Sequence, residues 1–190
     1  TTGLLSGTPT TAGTFNFTVI ATDANLCTGS TSIALTINCP TVTIAPVSPL
    51  PNATAGVGYN QTISATPAGT TYSFSVLPGT LPTGLTLNAN GTLSGTPTVT
   101  GTFNFTITAT GWGSCTGSRA YSLTVVCPTI TVNPATVPSG TTGINYSQGF
   151  SQVGGVGTIV WSSTGTLPPG LTLNTATGVL SGNPTTAGSF

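Results

Sequence analysis

Ser6-Gly-Thr-Pro-Thr-Thr-Ala-Gly-Thr-Phe-Asn-Phe17 returns almost unchanged as Ser94-Gly-Thr-Pro-Thr-Val-Thr-Gly-Thr-Phe-Asn-Phe105. A third copy begins at Ser181-Gly-Asn-Pro184 and runs to Phe190. Ser6, Ser94 and Ser181 lie 88 and then 87 residues apart. The cysteines keep that period, since Cys27 to Cys115 and Cys39 to Cys127 are each 88 residues. Leu81-Pro-Thr-Gly-Leu-Thr-Leu87 returns as Leu167-Pro-Pro-Gly-Leu-Thr-Leu173, 86 residues on, so a loop changes length slightly between copies. Self-similarity at a fixed period is the mark of a repeat array.

The period divides the chain into three expected units. Residues 1–39 read as the back of one repeat, 40–127 as a complete repeat, and 128–190 as the front of a third. This pattern predicts a window on a longer array. The other reading is a subunit whose partial units complement those of its neighbours by strand exchange. The recurrence of segment 6–15 at 181–190 counts against that reading, because a composite domain would carry the segment twice.

Period-two alternation places the strands of the complete unit. Val42 and Ile44 mark the first, and Tyr59, Thr62 and Ile63 mark the second less cleanly. Tyr72, Phe74 and Val76 share a face of the third. Leu85 and Leu87, then Leu93, flank the turn Asn88-Ala-Asn-Gly91, a hairpin signal. Phe103, Phe105, Ile107 and Ala109 alternate along the longest strand, and Tyr121, Leu123 and Val125 along the last. About seven short strands in a unit of this length fit an immunoglobulin-like two-sheet sandwich.

Composition bounds the function. Asp23 is the only acid and Arg119 the only base, with no His and no Lys in 190 residues. A typical domain is about a quarter charged. General acid–base catalysis needs titratable groups, and triads and metal sites need several, so no enzyme chemistry, cofactor or metal is expected. Phosphate neutralisation needs clustered cations, which excludes nucleic acid as a partner. No apolar run approaches the roughly 20 residues that span a membrane as a helix, so no membrane insertion is expected. The sequence lacks Met even at position 1, which reads as a processed or partial chain.

The spaced motifs Leu-Pro-x-Gly-Leu-Thr-Leu-Asn and Gly-x-Leu-Ser-Gly-x-Pro-Thr-x-x-Gly-x-Phe-Asn-Phe-Thr recur together. In this the chain resembles the bacterial immunoglobulin-like repeats of large surface and secreted proteins. The resemblance implies an all-β fold: tandem immunoglobulin-like, cadherin-like β-sandwiches of about 88 residues arranged head to tail. It also implies an extracellular or cell-surface location and a spacer or stalk role. Related cadherin-like repeats hold calcium with several carboxylates. Here Asp23 stands alone, and Gly111 occupies its place in the next unit, so no structural calcium is expected.

A zinc site is a poor match for cysteines separated by eleven residues with no His, and disulfides are the better reading. Two pairings are open. Cys27 lies in the hairpin between the last two strands and Cys39 ends the last one. A strand of about eight residues spans roughly 26 Å, while a disulfide needs Cα atoms within about 7 Å, so this local pair requires the strand to fold back. In head-to-tail sandwiches the end of one unit meets the last hairpin of the next. That topology pairs Cys39 with Cys115 and sends Cys27 and Cys127 to neighbouring repeats. Pro40 and Pro128 follow the cysteines directly and leave almost no flexible linker.

Trp112, in the Gly111-Trp-Gly113 loop beside Cys115, reads as junction packing or as an exposed contact residue. Trp161 replaces Phe74 on an inward face, and Arg119 reads as a solvated surface residue. Asn-x-Ser/Thr sequons occur at Asn16, Asn52, Asn60, Asn90, Asn104 and Asn145, of which Asn16 and Asn104 fall on outward strand positions. The expected function is a structural segment of an extracellular bacterial fibre, filament or stalk, stiffened by short linkers and disulfides. Its partners would be neighbouring repeats or identical chains. The alternative is an adhesive module whose inter-strand loops bind glycan or a partner protein.

Overall fold

The computed structural model describes residues 3–67 and 71–190. Strands β1 (Gly13–Thr22) and β2 (Thr28–Ile37) form an antiparallel hairpin from Gly13↔Ile37 to Thr22↔Thr28. Hydroxyl pairs line its polar face, with Thr14 and Thr36 Oγ1 atoms 3.1 Å apart. Asp23 closes the turn: its Oδ1 accepts the Asn25 and Cys27 N–H groups at 2.9 and 2.8 Å. Short acceptor side chains hold turns in this way, and Asp23 here has a local structural task.

The complete repeat contains β3 (Thr43–Ala45), β4 (Ala53–Thr54), β5 (Tyr59–Thr62), β6 (Ser64–Thr66), β7 (Ser73–Val76), β8 (Leu85–Leu87), β9 (Thr92–Gly95), β10 (Gly101–Thr110) and β11 (Thr116–Val126). One layer holds the pair β3-β6 and the group β5-β9-β8, and the other has the order β4-β11-β10-β7. The sequence-derived strands are split in two places. Pro46, Pro49 and Pro51 offer no N–H to a ladder, and across them the first strand leaves one layer. It resumes in the other as β4, parallel to β11 with Val125↔Ala53. The second strand breaks at Ile63, whose N–H donates to the Gly91 carbonyl at 2.8 Å and whose side chain is buried. The break explains why Tyr59, Thr62 and Ile63 alternate poorly.

Alternate residues of β10 and β11 fill the core. Phe105, Ile107, Ala109, Tyr121, Leu123 and Val125 are buried against Ile44, Ile63, Phe74, Leu85 and Leu93. The Tyr121 hydroxyl donates to the Pro46 carbonyl at 2.7 Å, which ties the last strand to the kink after β3. The recurring motifs meet in the β8-β9 hairpin. Gly84 (φ +95°) and Gly95 (φ +138°) face each other there. A Cβ on Gly84 would strike the Thr96 carbonyl oxygen, and one on Gly95 would strike that of Gly84. Gly170 and Gly182 repeat the arrangement in the third unit.

The third unit carries β12 (Thr131–Asn133), β13 (Tyr146–Gly149), β14 (Ser151–Val153), β15 (Leu171–Leu173) and β16 (Val179–Gly182). Tyr146↔Gly182 and Leu171↔Gly182 reproduce the registers Tyr59↔Gly95 and Leu85↔Gly95. The β1-β2 hairpin likewise reproduces β10-β11, where Gly101 pairs with Val125. The two ends therefore display opposite layers of the same sandwich. Val19 is 49% exposed, whereas Ile107 at the equivalent register of β10 is buried.

Burial raises the phenol pKa of Tyr59. Burial also raises that of Tyr121, against a lowering by Arg119. The folded state thus favours the neutral phenols. Their contribution to stability is complete below the ordinary phenol value of about 10 and is lost as pH rises through the raised values. The chain has no His to titrate near neutrality. Thermal melts should be flat from about pH 5 to 8 and fall above about pH 10; a large slope across the neutral range would contradict this.

Candidate functional site: the junction between repeats

Cys39 follows β2 by two residues, and Cys115 closes the loop before β11. The two are joined by a disulfide with Cα atoms 5.5 Å apart and a sequence separation of 76. The bond joins the segment that follows the β1-β2 hairpin to the loop of the β10-β11 hairpin. Cys115 is buried, with its N–H on the Trp112 carbonyl at 3.1 Å and its carbonyl accepting the Gly111 N–H at 2.9 Å. Cys27 and Cys127 are exposed and unbonded among the described residues.

Small residues let the hairpin approach its neighbour. A Cβ on Gly113 (φ +59°) would lie 2.8 Å from the Ala12 nitrogen and 3.1 Å from the Thr11 Cα. Within the same segment of chain, one on Gly117 would strike the Val42 carbonyl oxygen just before β3. Between the units lies a cleft of about 260 Å³, lined by Pro9, Ala12 and Ile37 on one side and Val42, Tyr72 and Trp112 on the other. Trp112 is a wall of this cleft, yet 53% of its surface is exposed. The structure thus brings Cys39, Cys115 and Trp112 together and leaves Cys27 and Cys127 apart. From sequence, Pro9–Ala12 stand out only as part of a recurring motif and Gly113 only as a flank of Trp112, and Gly117 does not stand out at all. Only the recurrence of Pro9 at Pro97 could have marked that segment, and recurrence there reads as a loop motif.

A second glycine makes a comparable close approach further along the chain. A Cβ on Gly56 (φ +76°) would sit 2.5 Å from Val156 Cγ2 of the third unit. Trp161 lies on the inward side: its ring stands 6.5 Å from that of Phe150 and covers Gly178, as Phe74 covers Gly91. It is half-buried. Arg119, read from sequence as solvated surface, is instead half-buried. It falls on the inward register of β11 with Tyr121, Leu123 and Val125, at the end of the layer. Asn16 and Asn104 are exposed. Among the described residues no group of three His, Cys, Asp or Glu could hold a metal ion, and no helix is long and apolar enough to cross a membrane.

A two-layer sandwich with a disulfide at one end, followed in the chain by strands that repeat the registers of one of its layers, defines the class: an all-β immunoglobulin-like module. The family model described as "Putative Ig domain" matches residues 1–38, 40–126 and 128–190, and the chain belongs to that family. No curated protein matches the sequence. Among solved structures, the protocadherin GammaB4 extracellular domain is 18% identical over 92% of this chain and 34% of its own, with a TM-score of 0.36. The N-terminal eight Ig domains of Down Syndrome Cell Adhesion Molecule are 12% identical over 95% and 34%, with a TM-score of 0.39. Mouse cadherin-23 EC22-24 is 14% identical over 91% and 65%, with a TM-score of 0.37. The chain therefore spans between about a third and two thirds of the length of these structures.

Proposed function

We propose that the chain is a structural repeat segment of an extracellular bacterial fibre, filament or stalk, with units at 1–39, 40–127 and 128–190. The observation that carries this reading is the Cys39–Cys115 bond across a junction with almost no slack. Short linkers set the spacing of the beads and the disulfide limits their rotation. Cys127 occupies the place of Cys39 one period on, and Cys27 that of Cys115 one period back. Each then bonds an adjoining repeat, so that every junction carries one bond. The partners are neighbouring repeats or identical chains, and the role is mechanical rather than catalytic. Electron micrographs of oxidised multi-repeat protein should show straight rods that bend at regular intervals after reduction. Equally flexible fibres in both states would overturn the reading.

The exposed face of Trp112 supports a second reading, adhesion through the junction loop. A glycan and partner screen separates the two. Saturable binding lost in Trp112→Ala favours adhesion, whereas a stalk binds nothing there.

A further inference from the structure

We infer that the disulfide converts the complete repeat into an inextensible link, in which tension runs through the last strand and bypasses the rest of the domain. The inference rests on the reading of the chain as a fibre segment. Force on a polypeptide follows its shortest covalent route. From β2 that route reaches Cys39, crosses directly to Cys115, and continues along β11 to Cys127. Residues 40–114, which contain β3 to β10, form a closed side loop off this line. Tension applied along the line cannot draw out the side loop while the bond is intact.

The lengths make the point. From Cys39 to Cys127 the oxidised route is one bridge of 5.5 Å between Cα atoms plus 12 residue steps. At about 3.5 Å per step this is roughly 45 Å. Eleven of the residues on it already form β11, which is extended in the fold. Unfolding the sandwich therefore adds almost nothing to the distance between the two cysteines. Without the bond the same interval contains 88 steps and reaches roughly 300 Å. Ordinary tandem sandwiches yield under load by releasing a whole domain of chain. This one keeps its length whether the core is folded or not. The core's task is then to hold the clamp and shield the strand, not to resist extension.

The natural thiols supply the test. Cys27 and Cys127 are exposed and free, so maleimide handles attach to the full 190-residue chain on either side of the clamp. Stretched to high force, the oxidised chain should reach about 90 Å between handles, from 24 steps and the bridge. A Cys39→Ser/Cys115→Ser chain, or the parent after reduction, should reach about 350 Å from 100 steps. The contour length at high force does not depend on whether the variant folds, so a destabilised variant still gives a reading. An oxidised parent that lengthens by roughly a further 260 Å overturns the inference, as does a double variant that stays short. Either result would leave the straightness of fibres in micrographs untouched. Conversely, flexible fibres with a short handle distance would overturn the fibre reading and not the load line.

Discussion

A chain carrying Cys39→Ser and Cys115→Ser is expected to lose up to about 4 kcal/mol of stability in the complete repeat. The bond closes a loop spanning a sequence separation of 76, which contains nearly all of that repeat. Cross-linking so long a loop removes much of the conformational freedom of the unfolded chain, and the chain-entropy value for this length is about 4 kcal/mol as an upper figure. In a domain of this size 1 kcal/mol moves Tm by roughly 4–8 °C, so a drop of up to roughly 16–32 °C is expected. The reduced parent should match the double variant, which separates loss of the bond from any effect of the serines. Thermal scans of both that stay within a few degrees of the oxidised parent would show that the bond constrains little.

The second large effect is expected at Gly84. Valine there would be a β-branched residue at φ +95°, with its Cβ driven into the Thr96 carbonyl. Thr96 cannot retreat, because its N–H donates to the Gly84 carbonyl at 3.0 Å and Gly95 abuts the same turn. Strain at such a dihedral and overpacking each cost about 1–3 kcal/mol, so Gly84→Val should lose roughly 3 kcal/mol or more. Gly79→Ala is the control. Gly79 has φ +77°, and no atom lies within 4 Å of the position its Cβ would take. It should lose only the backbone term, roughly 1 kcal/mol. Equal denaturation midpoints for the two variants would mean that the glycine contact is not what the repeated motif preserves.

Much of this architecture is legible in the sequence because each unit obeys one simple rule at a time. Phe103, Phe105, Ile107 and Ala109 alternate without interruption, and the structure places them on a single uninterrupted strand, β10. Asn88 to Gly91 announces a hairpin, and β8 and β9 flank it. Legibility ends where two elements far apart in sequence share a task. The Leu-Pro-x-Gly and Ser-Gly-x-Pro motifs are visible as recurrences, but only the fold shows that their glycines touch. Gly91 reads as a turn residue, and it also makes room for the Phe74 ring, which a Cβ would approach to 3.0 Å. Arg119 reads as surface because charge is soluble, while the strand's parity turns it inward. At the junction, Trp112 and Cys115 stand out as rare residues. Pro9 to Ala12 do not, since nothing in a loop segment marks which neighbour it will meet across a repeat boundary.

Chymotryptic digestion under non-reducing conditions, after the free thiols are alkylated, tests the clamp most directly; the single Arg leaves trypsin almost nothing to cut. The expected result is a cross-linked pair of peptides carrying Cys39 and Cys115, with the alkyl label on Cys27 and Cys127. A cross-linked pair carrying Cys27 and Cys39 would place the bond within one repeat and contradict a junction held between two.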